Sequence, residues 1–347
     1  MNVVIPVWPV LYVSPPKWGV PQAAKRGEQA TVQRYLIRRL VFMVPTLVVM
    51  SMFTFGLLRL MPGDFITAQM AEARGADQAQ IERWRVELGL DKPAYIQYFR
   101  WTGGILKGDW GQSYWLNEPV LKVIRRTLPT SIELGGISII IGILISVPVG
   151  VLSAVKQNTW MDYLGRSVSI LGISIPNFFL ATLIIIYGAR WFGWFPPQTP
   201  QKLFEDPVGH MEQFLPAAFI LGAALSAQNM RLIRTTMLET IRADYVRTAR
   251  AKGLKESAVI FRHAFRNALI PVVTLLGFQI TITIGGSVVV ERALSVNGMG
   301  RAFIDAVPQR DFPLVQGILL LLVGVTLLIN LLVDLSYSYL DPRIRYS

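Results

Sequence analysis

Long apolar runs separated by short polar segments set the rhythm of this chain. Six runs, 41–61, 134–155, 167–189, 213–230, 267–290 and 312–333, carry no charge except Arg59 near the end of the first. Each is close to the roughly 20 residues a helix needs to cross a bilayer core, where a helix satisfies its own backbone hydrogen bonds without water. Core helices of soluble proteins seldom run so long without a charge, and six in one chain point to a membrane protein. The fourth run is the shortest and holds Gln228 and Asn229. The expected fold is an all-α integral membrane bundle of six helices, with a large loop between spans 1 and 2.

Patterns inside the runs describe how they pack. Ser138, Gly142, Ser146, Gly150 and Ala154 recur every four residues, and so do Ala218, Gly222 and Ser226. Small side chains on one helix face let a second helix approach closely. In the fifth run Gln279, Thr283 and Ser287 form a polar face that Glu291 continues. Polar groups at membrane depth need partners or water, so this face lines a path or bonds to another helix. Ser174, Pro176 and Asn177 interrupt the third run, and Pro176 removes a backbone donor, so a kink is expected there. Ser174, Asn177, Gln279, Thr283 and Ser287 are the candidate path residues. Arg59, Glu133, Glu291 and Asp334 fall at span ends, where long side chains reach polar surroundings. With no chain of carboxylates crossing the membrane, a proton-driven carrier is disfavoured.

Composition narrows the class. Charged residues make up 16% of the chain against about 25% in soluble proteins, and the net charge is +12. The placement of that charge is topological. Residues 1–40 hold six basic and one acidic residue, 231–266 nine and three, and 62–128 nine and eight. The positive-inside rule then puts both termini and the 231–266 loop in the cytoplasm and 62–128 outside. No basic folded domain is present, so no nucleic-acid partner is expected. Residues 1–31, with no charged start followed by an apolar run, read as a cytoplasmic disordered tail rather than a signal peptide. There are no cysteines and two histidines, His210 in an external loop and His263 in a cytoplasmic one, so no metal site is expected. Neither a phosphate-binding P-loop, an H-E-x-x-H nor a Ser/His/Asp arrangement occurs, which argues against an enzyme and against any bound cofactor. The 62–128 loop is too long for a turn, and Tyr95, Tyr98, Phe99, Trp101, Trp110, Tyr114 and Trp115 give it surface for a small folded platform.

The 231–266 loop is the most informative stretch. Leu238, Ile241, Tyr245 and Ala249 have helical spacing, and Gly253 can end that helix in a left-handed conformation. Leu254, Ala258, Phe261, Phe265 and Leu269 continue on one side of a second helical pattern, and Arg247 and Arg250 lie on the polar side of the first. Two amphipathic helices around a glycine turn make a docking knob, because a solvated loop has no need for Leu238, Ile241, Phe261 and Phe265.

The run Asp244-Tyr245-Val246-Arg247-Thr248-Ala249-Arg250-Ala251-Lys252-Gly253-Leu254, followed by Arg262-His263-Ala264-Phe265-Arg266-Asn267-Ala268-Leu269-Ile270-Pro271, resembles the EAA loop of bacterial ABC importer permeases. The likeness is to B-type subunits of the dipeptide/oligopeptide/nickel family. Arg59-Leu60-Met61-Pro62-Gly63-Asp64, Leu88-Gly89-Leu90-Asp91-Lys92-Pro93, Gln97-Tyr98, Gly108-Asp109-Trp110-Gly111-Gln112-Ser113 and Arg310-Asp311-Phe312-Pro313 agree with it from residue 32 onward. Asn297-Gly298-Met299-Gly300 departs, with Asn where the family often has Pro, and Thr248-Ala249 lacks the acidic residue for which the loop is named. The resemblance implies a multi-pass protein of the bacterial cytoplasmic membrane, with one transmembrane helix and an extracytoplasmic region over 32–128 and a permease core over 129–347. It implies a homologous second permease, two ATPase subunits and an extracytoplasmic binding protein as partners in the bilayer. Tyr245, Arg247, Ala249, Arg250, Ala251, Gly253, Leu254, Phe261 and Phe265 would couple to the ATPases. A channel or secondary carrier working without ATPases is the alternative.

Overall fold

A computed structural model describes residues 22–60, 66, 82–83, 85–86, 89–199 and 203–340. The elements are α1 (Gln22–Arg59), α2 (Ala94–Leu106), β1 (Gln112–Ser113), β2 (Glu118–Pro119), α3 (Val120–Val155), α4 (Trp160–Ser174), α5 (Asn177–Phe192) and α6 (Pro207–Ile241). They continue with α7 (Asp244–Ala251), α8 (Glu256–Ala258), a π-helical segment (Val259–Phe265), α9 (Arg266–Gly286), α10 (Val288–Ala293), α11 (Met299–Ala306) and α12 (Phe312–Leu340). α1 starts inside the stretch expected as a tail, whose residues 1–21 lie outside the described residues, as do 61–65 and 341–347.

Among the described residues five helices are long and apolar enough to cross a membrane, and a sixth crossing requires α4 and α5 to count as one broken span. The two are set at 95° to each other. Pro176 explains why the expected kink is a full break. Ile175 is extended, and Pro176 itself has ψ 140°, outside the helical range, so the chain leaves one helix and starts another. Large apolar side chains such as Val41, Phe53, Leu144 and Phe178 are exposed, the surface a bilayer would cover.

α3 packs along α6, and the small-residue stripes are the seam. A Cβ on Gly142 would lie 3.3 Å from the Gly222 carbonyl oxygen, and one on Gly222 would lie 2.8 Å from that of Ser138. Ser138, Ser146 and Ser226 are buried and return their hydroxyls to carbonyls of their own helix, so the close approach strands no donor. One apolar cluster joins the start of α3 to α11 and α12, a second joins α3 and α6 to α7 and the π-helical segment, and a third joins α5 and α6 to α10.

Near the start of α3, β1 and β2 form a two-residue antiparallel hairpin with Gln112 opposite Pro119 and Ser113 opposite Glu118. Buried Asp311 holds this hairpin to α12. Its carboxylate accepts from the Ser113 hydroxyl and, at 3.2 Å, from the Trp115 amide, while its other oxygen caps α12 through the Leu314 amide at 3.3 Å. Two of the quoted motifs, Gly108–Ser113 and Arg310–Pro313, therefore meet in space. α2 lies on α1, with the rings of Tyr98 and Trp101 centred 5.4 Å and 6.1 Å from that of Phe55.

Candidate coupling site and path residues

The segment expected to couple is an elbow built onto the ends of α3, α6 and α9. α6 stops at Ile241, and Ala243 is extended before α7 begins. α7 turns Val246 and Ala249 into the core against Val151, Ala154, Ile233 and Met237. Ala249, expected on the same apolar docking face as Tyr245, is thus turned into the core, while Tyr245 lies on the outside at 44% exposure, its hydroxyl accepting from Asn267 Nδ2 at 2.9 Å. Arg247, Arg250 and Ala251 are exposed too. Arg250 pairs with Glu256 across the turn at 2.7 Å, and that carboxylate raises the guanidinium above its ordinary value. Gly253 has φ +74°, the left-handed conformation expected of it, and a Cβ there would meet nothing within 4 Å. Glycine is required by the backbone angle, not by space.

Beyond the turn, the positions read as one apolar docking face divide between core and surface. Val259, Ile260 and Ala264 are buried, whereas Leu254 and Phe261 are 44% and 60% exposed. Within this stretch the wider turn of the π-helical segment sets Ile260 and Ala264 rather than Phe261 against the core. Phe265 still packs on the core cluster, with its ring edge-on to Phe261 at 6.3 Å. The elbow therefore has a dry inner face fixed to three long helices and an outer face of Tyr245, Leu254, Phe261, Arg247 and Arg250.

The path candidates fall into two groups. Ser174 and Asn177 flank the break between α4 and α5, Ser174 exposed and Asn177 half-buried. Gln279 and Thr283 are buried on α9, and Ser287 is buried between α9 and α10. Gln279 Oε1 accepts from Asn229 Nδ2 on α6 at 2.9 Å, and its amide lies 3.4 Å from the Oε1 of Gln228, an exposed residue. Thr283 returns its hydroxyl to the Gln279 carbonyl, and Ser287 donates to Glu291 Oε1 at 2.6 Å. Of the two uses open to this polar face, bonding between helices is the one made within the chain.

Glu291 corrects the reading of span-end charges. It is fully buried rather than reaching for polar surroundings. Its carboxylate accepts from Ser131 of α3 at 2.8 Å, from Ser287 and from the Arg301 amide in the first turn of α11 at 2.9 Å. A carboxylate at a helix N-terminus satisfies a free amide and opposes the helix dipole. A Cβ on Gly298 would collide with this carboxylate, and one on Gly300 would lie 2.8 Å from Val288 Cα. The spacing Gly298-x-Gly300 was the sequence signal for this close approach.

A second buried carboxylate was also missed. Asp162, at the start of α4, accepts from Arg234 Nε of α6 at 2.6 Å, from Ser153 at 2.5 Å, from the Asn158 amide at 3.0 Å and from Arg166 at 3.1 Å. It joins α3, α4 and α6 at the end nearest the elbow. His210, expected in a loop, lies buried in the first turn of α6, with Nε2 2.9 Å from Glu133 and its ring stacked on Phe214 at 4.3 Å.

Comparison with known proteins follows this geometry. Residues 146–346 match the family model described as binding-protein-dependent transport system inner membrane component, and residues 32–135 match the model for the N-terminal part of such components. The oligopeptide transport system permease protein AppB of Bacillus subtilis is 37% identical over 319 residues, 90% of this chain and 99% of that protein. The glutathione transport system permease protein GsiC of Pectobacterium atrosepticum is 38% identical over 312 residues, with 90% and 99% covered. Among solved structures, an inward-facing MetNI methionine ABC transporter chain is similar in fold, with a TM-score of 0.51, 19% identity, and coverage of 64% of this chain and 97% of that one. With both family models matched in order along nearly all of its length, the chain belongs to the inner-membrane components of binding-protein-dependent transport systems.

Proposed function

We propose that this chain is the permease subunit of an ATP-driven importer of peptides or similar small solutes, and that it forms half of the translocation path with a homologous second permease. The observation that carries the reading is the elbow. Its inner face is fused to the ends of α3, α6 and α9, so a push on its outer face is delivered to three long helices at once. The outer face presents Tyr245, Leu254 and Phe261 with Arg247 and Arg250 beside them, a surface for a protein partner. Two ATPase subunits, one per permease, dock on such elbows. The chain has no phosphate-binding loop of its own.

The positive-inside bias supports an elbow and termini in the cytoplasm of a bacterial inner membrane, six crossings with α4 and α5 forming one broken span, and an extracytoplasmic platform between α1 and α3 that receives a binding protein. Names of relatives that include oligopeptide, dipeptide and glutathione support a peptide-like substrate. The path runs past the α4–α5 break at Ser174 and Asn177 and along the α6–α9 seam, where Gln279, Thr283 and Ser287 set the polar strip that surfaces at Gln228. Co-expression with a second permease, ATPases and binding protein tests the function. Peptide uptake into vesicles should require ATP and the binding protein, and uptake that continues without the ATPases would overturn the reading.

A further inference from the structure

Between α3, α4 and α6 lies a cavity of about 150 Å³ whose lining changes character along its length. At one end stand Arg166, Arg231, Arg234 and Thr235, and at the other Ile170 and Ile173. Three arginines line the cavity, and Asp162 answers two of them, binding Arg234 through both oxygens and Arg166 through one. Positive charge is left over. Arg231 is exposed and its side chain has no hydrogen-bond or ion-pair partner among the described residues, and Arg166 Nε is buried without one. Arg166, Ile170 and Ile173 follow one another at i, i+4 and i+7 along α4, on one helix face. That face runs from a cationic end at the start of the helix to apolar side chains 64% and 45% exposed deeper in the span.

We infer that this cavity binds an anionic phospholipid, its phosphate held by Arg231 and Arg166 beside the Thr235 hydroxyl and its acyl chains lying along Ile170 and Ile173. Both halves of the ligand are needed to explain the lining. A soluble anion would use the arginines but not the apolar end of the same helix face, whereas a zwitterionic lipid, although it carries the same phosphate, would set a cationic choline beside arginines that already hold surplus positive charge. The cavity takes the headgroup only, and the chains continue over the open face of α4. Asp162 limits the site to one anion by holding Arg234 in place. The arrangement goes beyond the transport reading and requires only that α4 and α6 lie in a bilayer.

The test uses the full chain, purified with its partner subunits in phosphatidylcholine nanodiscs that carry a small fraction of photoreactive phosphatidylglycerol or photoreactive phosphatidylcholine, diazirine-tagged on the acyl chain. Cross-linked peptides are mapped by mass spectrometry. Phosphatidylglycerol should label 167–173 about fivefold more than phosphatidylcholine, the scale expected from one basic group at an anionic lipid. Arg231→Ala should erase most of that preference, and Arg231→Lys should keep much of it. Equal labelling by the two lipids, or an unchanged preference in Arg231→Ala, would overturn the inference. Loss of the preference in excess inorganic phosphate, but not in sodium chloride of equal ionic strength, would do so as well, by assigning the site to a soluble anion.

Discussion

Ser131 and Glu291, 160 positions apart in sequence, are joined by a 2.8 Å hydrogen bond that solvent does not reach. The Ser131 hydroxyl also accepts from the Met299 amide at 2.8 Å, so one serine and one carboxylate hold α3, the end of α9 and the start of α11 together. Glu291→Ala strips an acceptor from two hydroxyls and an amide in a dry site, and each buried group left unpaired costs about 1–3 kcal/mol. The melting temperature of the detergent-solubilised chain should fall clearly. Glu291→Gln should fall less, because serine hydroxyls can turn to accept from the new amide. Gly298→Ala should match the alanine variant by displacing the same carboxylate. An Ala variant at position 291 that melts like the wild type would refute this account of the corner.

The Asp162–Arg234 pair makes a sharper energetic prediction. Both partners are largely inaccessible, and the carboxylate has three further donors in Ser153, the Asn158 amide and Arg166. Removing one member of a buried pair leaves an uncompensated charge, a loss of roughly 3–5 kcal/mol, whereas replacing both with apolar groups of similar size is far milder. Asp162→Ala should therefore reduce the amount of chain recovered from membranes, and Asp162→Leu combined with Arg234→Met should restore part of it. If the double variant is worse than the single, the pair is not the source of the loss.

The spans, the α3–α6 seam and the glycine turn were legible because each rests on local chemistry: charge-free length, a four-residue repeat of small side chains, and a backbone angle only glycine takes freely. What was not legible depended on distant pairing or on the helix type. Glu291 and Asp162 look like ordinary span-end and loop carboxylates until Ser131, Gly298 and Arg234 are brought to them by the fold. The apolar positions of the elbow read as one docking face because a single period was carried through it, whereas the fold sends Ala249 and Phe265 to the core and leaves Tyr245 and Phe261 outside. Pro176 announced a disturbance in the third run, but a 95° break rather than a bend follows from the extended backbone of both Ile175 and Pro176, which the residue types do not fix.

Orientation has a direct chemical test, since the chain has no native cysteine. Gln112 is exposed on the hairpin and Lys252 is exposed on the elbow. In intact cells a membrane-impermeant maleimide should label Gln112→Cys, and Lys252→Cys should become reactive only after permeabilisation. The reverse pattern would invert the topology and remove the elbow from the ATPase side.

Gly253 separates a coupling role from a merely structural one. Its φ of +74° strains any L side chain by roughly 1 kcal/mol, but a Cβ there has open space around it. Asn tolerates this conformation better than most residues, so Gly253→Asn should leave the fold and membrane insertion close to wild type. Any larger effect on function must then come from what approaches the turn from outside. If the elbow is the docking surface, Gly253→Asp and the larger Gly253→Trp should lower co-purification of the ATPase and peptide uptake together, while the melting temperature moves only slightly. Phe261→Ala should do the same from the neighbouring exposed position, because its ring makes little use of the core. Arg250→Ala should have a smaller effect, since its pairing with Glu256 is exposed and weakened by solvent. Wild-type co-purification and uptake in both Gly253→Trp and Phe261→Ala would mean that the ATPase binds elsewhere.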